Sequence, residues 1–106
     1  MNKEKRKKLE AKGWKVTSVA EFLELTPDEE KIVELRLALS DALKRRRLAS
    51  NLSQADFAKL LNSSQSRIAK MEAGDKSVSL DLLIRSLFKA GVDVRKLSEI
   101  IATEIL

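Results

Sequence analysis

Residues 52–74 read LSQADFAKLLNSSQSRIAKMEAG, and this stretch divides into two short helices on either side of a tight turn. Ser53 stands where an N-cap hydroxyl takes an orphan backbone N–H, and Phe57, Ala58 and Leu61 behind it fall on one apolar stripe. Asn62-Ser63-Ser64 breaks the pattern. Asn62 suits a turn because asparagine tolerates left-handed backbone angles better than most residues with a side chain. Ser64 caps the second segment, Ile68 and Met71 point inward from it, and Gly74 stops it. Ala58 is small where the two helices must cross closely, since a larger side chain would push them apart.

Working outward, the breakers are few: one proline, Pro27, and three glycines, Gly13, Gly74 and Gly91, so longer helices lie between them. Thr26-Pro27-Asp28-Glu29 is a capping box with proline at the first helical position, where its missing N–H costs nothing. Ile32, Leu35, Leu39, Ala42 and Leu43 keep a spacing of three and four, which predicts an amphipathic helix to about Ala49, with Asn51 as a left-handed terminator. Downstream, Ser79 caps a helix whose Leu80, Leu83, Ile84 and Leu87 share a face and which ends at Gly91; Asp93 opens a fifth. Ser18-Val19-Ala20-Glu21 forms another capping box, and Trp14-Lys15-Val16 is the one weak candidate for a strand. The expected fold class is all-α. It has two parts: a basic N-terminal extension with a short helix, residues 1–26, and a five-helix domain, residues 27–106, holding the two-helix motif at 53–74 and a terminal helix at 93–106.

Composition narrows the chemistry. The 106 residues include no cysteine, histidine or tyrosine, so thiolate and imidazole ligands, disulfides, and Cys or Ser-His nucleophiles are absent. No paired constellation for catalysis is evident in the remaining Lys, Arg and carboxylates, and the expectation is a non-enzyme without metal or cofactor. Apolar residues make up 43% and charged residues 35%, enough for a core in a soluble, helix-rich, cytoplasmic protein. No run approaches the roughly 18 apolar residues of a membrane span. The basic start continues into Gly13-Trp14-Lys15, unlike a secretory signal. The net charge of +5 is unevenly spread: residues 21–41 carry two basic and seven acidic groups, residues 42–106 twelve basic and seven acidic. A basic majority of the chain favours a polyanion, most simply nucleic acid.

Two helices of this size around a turn of about three residues form a helix-turn-helix arrangement. The LSQ opening at Leu52, the contact residue Ala58, Ile68, and the Met71-Glu72-Ala73-Gly74 close resemble the Cro/CI-like, or XRE, family of DNA-binding domains over roughly residues 38–92. Two departures stand out: Asn62 occupies the place of the family's usual turn glycine, and Ser63 that of a usual apolar residue, which predicts looser packing of the turn. With Ile68 inward, Ser66, Arg67, Ala69 and Lys70 point away from the core. Gln65 and Ser66 occupy the first turn, where a recognition helix meets base edges, and glutamine pairs with adenine by two hydrogen bonds. Lys70 reaches guanine or a phosphate, and Arg67 suits phosphate. The resemblance further implies that Gln54 binds the DNA backbone, assisted by Ser64, Lys76 and Ser77. Glu72 falls on the inward face, where a carboxylate needs a partner; the resemblance makes that partner Arg47. Lys44 to Arg46 are then either phosphate contacts or a solvated basic face.

One recognition helix reads few base pairs, so a homodimer on a double-stranded DNA operator is expected. Leu97, Ile100, Ile101 and Ile105 give the last helix a wide apolar face, which serves either that dimer interface or the chain's own core. Trp14-Lys15-Val16, the two capping boxes, Ser64-Gln65-Ser66-Arg67 and Met71 to Asp75 are similar to HigA-type antitoxins. That likeness implies a repressor of its own operon that also binds a basic ribonuclease toxin, which the acidic residues 21–41 would attract. A stand-alone XRE regulator and a toxin-binding module without operator binding are the alternatives.

Overall fold

The computed structural model describes residues 25–105, with side chains described through Glu104. The expected extension, its Ser18 capping box, the Trp14 stretch and the basic run Lys3 to Lys8 lie outside the described residues. Five helices follow one another: α1 Pro27–Ala49, α2 Gln54–Leu60, α3 Gln65–Glu72, α4 Leu80–Lys89 and α5 Val94–Ile105. No strand occurs among the described residues, and the fold is all-α.

The helix boundaries are written in side-chain and backbone hydrogen bonds. Thr26, Ser53, Ser64 and Ser79 are the N-caps of α1 to α4, and each hydroxyl accepts the N–H three residues on, at 3.1–3.2 Å. The Asp93 carboxylate accepts the Lys96 N–H at 2.8 Å in the same manner at α5. The first four helices also end alike. Asn51, Asn62, Gly74 and Gly91 all have positive φ, between 54° and 94°. In each case the next N–H reaches back five residues to a carbonyl: Leu52 to Arg47, Ser63 to Ala58, Asp75 to Lys70 and Val92 to Leu87. This is the Schellman closure, which satisfies carbonyls that a helix otherwise leaves orphaned. These stops keep α2 and α3 short and hold the turn between them.

The core gathers around α1, which packs against α3, α4 and α5, while α2 packs against α3. Leu39, Leu43, Phe57, Leu61, Ile68, Met71, Leu83 and Leu87 are all essentially inaccessible to solvent. The predicted stripe on α1 is present, with Leu35 and Ala42 half-buried and Ile32 exposed at its start. Leu37, Ala38 and Ser40 are buried as well. A helix surrounded by three others is covered on more than one face, and a stripe counted from spacing alone captures only one of them.

α5 lies on α1, and Leu97 is buried in the chain's own core, with Ile100 and Ile101 half-buried against it. Leu97 is therefore taken up within the chain's own core, on a helix that packs against α1. The side chain of Ile105 lies outside the described residues. No helix among the described residues is long and apolar enough to cross a membrane.

Candidate nucleic-acid interface

α3 is a helix of two turns with two different faces. Ile68 and Met71 are fully buried on the inner one, and the Met71 sulfur accepts a hydrogen bond from Ser86 on α4 at 3.3 Å. Ala58 on α2 is buried where α2 and α3 pack. A third anchor is ionic. Arg47 Nε donates to Glu72 Oε2 at 2.7 Å and Nη2 to Oε1 at 3.0 Å, the two-pronged geometry that suits a guanidinium to a carboxylate. The two side chains are only 11% and 4% exposed. The remaining donor, Nη1, reaches the Leu52 carbonyl at 2.8 Å, so one guanidinium joins the end of α1, the start of the motif and the end of α3. The hydrogen bond to Glu72 holds the Arg47 pKa above its ordinary value, against the opposing effect of burial. Gln54 Nε2 donates to the same carboxylate at 3.3 Å.

On the outer face, Gln65, Ser66, Arg67 and Lys70 are all exposed. Ser64, also exposed, accepts the Arg67 N–H and so keeps its own hydroxyl proton for a further acceptor. Gln54 is half-buried, with one amide N–H committed to Glu72. Lys76 and Ser77 lie in the exposed link between α3 and α4. Both the N–H and the hydroxyl of Ser77 donate to Asp75 Oδ1, at 2.8 and 2.6 Å, and these bonds hold the Asp75 carboxyl below the usual carboxylate range, helped by the charges of Lys70 and Arg36. Gln65, Ser66, Arg67 and Lys70 are thus all exposed on α3, and Ser64, Ser66, Arg67 and Lys70 line one open cleft.

A protein-family model described as Helix-turn-helix matches residues 43–85, the segment that holds α2, α3 and the Arg47–Glu72 pair. The chain carries an XRE-type helix-turn-helix domain. That domain supports a DNA-binding transcription regulator with a Cro/CI-like all-α fold. No curated protein and no solved structure matches the chain significantly.

Within this helix-turn-helix domain the basic run at the end of α1 has mostly internal duties. Arg45 Nη1 meets Glu104 on α5 at 2.7 Å, and Arg46 Nε donates to the Ala90 carbonyl at the end of α4 at 3.0 Å. Together with Arg47 they tie α1 to α5, α4 and α3 in turn. Their common spacing along the sequence hid this, because consecutive residues on a helix point about 100° apart and so meet different neighbours. Two residues that sequence reading passed over also border the interface: Asp81 and Arg85, one turn apart on α4, face α3 across an open cleft. The signal was available in the spacing, since both lie off the Leu80-Leu83-Ile84-Leu87 stripe.

Proposed function

We propose that the protein is a sequence-specific DNA-binding repressor that places α3 in the major groove of its operator. The observation that carries this reading is the division of α3 into a buried, ion-clasped back and an outer face of Gln65, Ser66, Arg67 and Lys70 that does no packing. Side chains free of packing duty and carried on a rigid helix are what base readout requires. Gln65, Ser66 and Lys70 read base edges in this proposal. Gln54, Ser64, Arg67, Lys76 and Ser77 hold the phosphate backbone, the last after giving up its bond to Asp75. Two copies bind as a homodimer across a palindrome of half-sites spaced about one helical turn. The test is selection of duplexes from a random-sequence pool, followed by footprinting. Enrichment of a palindrome that binds at least a hundredfold more tightly than its scrambled version supports the proposal; equal affinity for both overturns it.

A finer reading, in which this regulator is the antitoxin of a type II toxin-antitoxin module and represses its own operon, draws support from the likeness to HigA-type antitoxins. The acidic first turn of α1, with Asp28, Glu29 and Glu30, suits a basic ribonuclease toxin. Co-expression with the product of an adjacent reading frame tests it: a stable complex and relief of growth arrest favour the antitoxin, and their absence favours the stand-alone regulator. The cytoplasm is the compartment both readings require.

A further inference from the structure

α3 and the first half of α4 are the walls of an open cleft of about 550 Å³. Ser66, Arg67 and Lys70 line one side, and Asp81, Leu82 and Arg85 line the other. The cleft therefore holds three cations and one carboxylate. Arg85 and Asp81 form an ion pair at 3.4 Å, a long contact between side chains that remain 65% and 86% exposed. A pair so open to water holds its partners weakly, and an arginine in it is easily recruited by a better acceptor. A phosphodiester is such an acceptor, since two oxygens match the guanidinium fork. Asp81 has the opposite character: with Arg85 drawn away, its carboxylate faces any anion that enters.

We propose that Arg85 is a DNA-backbone contact that exchanges the Asp81 carboxylate for a phosphodiester oxygen when α3 enters the major groove, with Asp81 as its counter-ion in the free protein. This rests on the reading of α3 as a recognition helix and adds a cation from a different helix to the strand that borders the groove. The contact recognises phosphate and is indifferent to base sequence.

The test measures the salt dependence of binding to the duplex that the protein itself selects from a random pool, and to a scrambled duplex, for wild type, Arg85→Gln and Arg95→Gln. Arg95 is exposed on α5 and does not line the cleft, so its replacement controls for net charge. Each phosphate contact contributes about 0.9 to the slope of log K against log salt. Arg85→Gln is expected to flatten the slope by about that amount, which narrows the affinity change between 50 and 200 mM salt by roughly 3-fold on both duplexes. Arg95→Gln leaves the slope unchanged. Asp81→Asn tightens binding to both duplexes alike. If wild type enriches no duplex, the recognition-helix reading falls and this proposal with it. If wild type binds selectively but Arg85→Gln keeps the wild-type slope, or flattens it no more than Arg95→Gln does, the Arg85 contact alone is overturned.

Discussion

Removing one half of the Arg47–Glu72 clasp gives the sharpest test of how α3 is held. In Glu72→Leu the guanidinium of Arg47 stays in a site where it is only 11% exposed, with the Leu52 carbonyl at 2.8 Å as its remaining acceptor. Breaking a buried pair this way costs about 3–5 kcal/mol, because the surviving charge is neither solvated nor neutralised. For a domain of this size about 4–8 °C of melting temperature goes with each kcal/mol, so a fall of at least ~12 °C is expected. Arg47→Met has a similar effect, since it leaves Glu72 buried without the guanidinium. The double variant Arg47→Met/Glu72→Leu removes both charges and is expected to lie within about 1–2 kcal/mol of wild type, since an apolar pair of similar volume can replace a buried ion pair. Urea unfolding followed by circular dichroism at pH 7 gives all four corners of the cycle. Raising the salt to 0.5 M should barely alter the coupling, as a buried pair is poorly screened. Single-variant costs that simply add, to within ~0.5 kcal/mol, would refute the clasp as an interacting unit.

Other outcomes follow from the same geometry. Gln65→Ala is expected to relax discrimination at one operator position by about 1–3 kcal/mol and to leave stability unchanged, as measured by binding to single-base variants of the selected duplex. At Asn62, where φ is 54°, Asn62→Ala should cost about 1 kcal/mol and Asn62→Gly should be neutral or mildly stabilising in thermal melts. The hydroxyl of Ser63 is buried with no hydrogen-bond partner among the described residues, so Ser63→Ala should raise stability by about 1 kcal/mol. The pKa of Asp75 is depressed in the folded state, so its contribution is complete above the ordinary carboxylate pKa and is lost as the pH falls through the lower folded value. Ser77→Ala should accordingly weaken the dependence of melting temperature on pH below about pH 4; an unaltered acid limb would contradict the role given to the Ser77 hydroxyl.

Much of this fold is legible in the sequence because its punctuation is chemical. The serine and threonine caps and the four left-handed stops each need a particular residue type, and α1 runs from Pro27 to Ala49 as the capping box and spacing predict. Inward placement of Glu72 follows from counting along α3, and it is buried. Ser63 stands in the turn with its hydroxyl buried and without a hydrogen-bond partner among the described residues, a desolvation cost that an apolar residue there would not carry. What spacing does not carry is which neighbour a long side chain meets. Arg45 and Arg46 read as a basic face, yet each finds a partner 59 and 44 residues away along the chain. Leu97 reads as a subunit interface or as a core face, since apolar periodicity is the same for both; its burial in the chain's own core comes from the packing of α5 on α1, which spacing does not carry. Asp81 and Arg85 visibly lie off the apolar stripe of α4, but that they face α3 is a fact of tertiary arrangement that spacing does not carry.

The separation of duties on α3 bears on how such a protein changes its target over evolutionary time. Gln65, Ser66, Arg67 and Lys70 are exposed and lie outside the core, while Ile68, Met71 and Glu72 seat the helix from behind. On the function proposed above, exchanging the outer residues would change the sequence that is read while leaving the packing behind α3 in place. The scaffold behaves like a printing press with replaceable type, and new specificities are open to it through a handful of single substitutions.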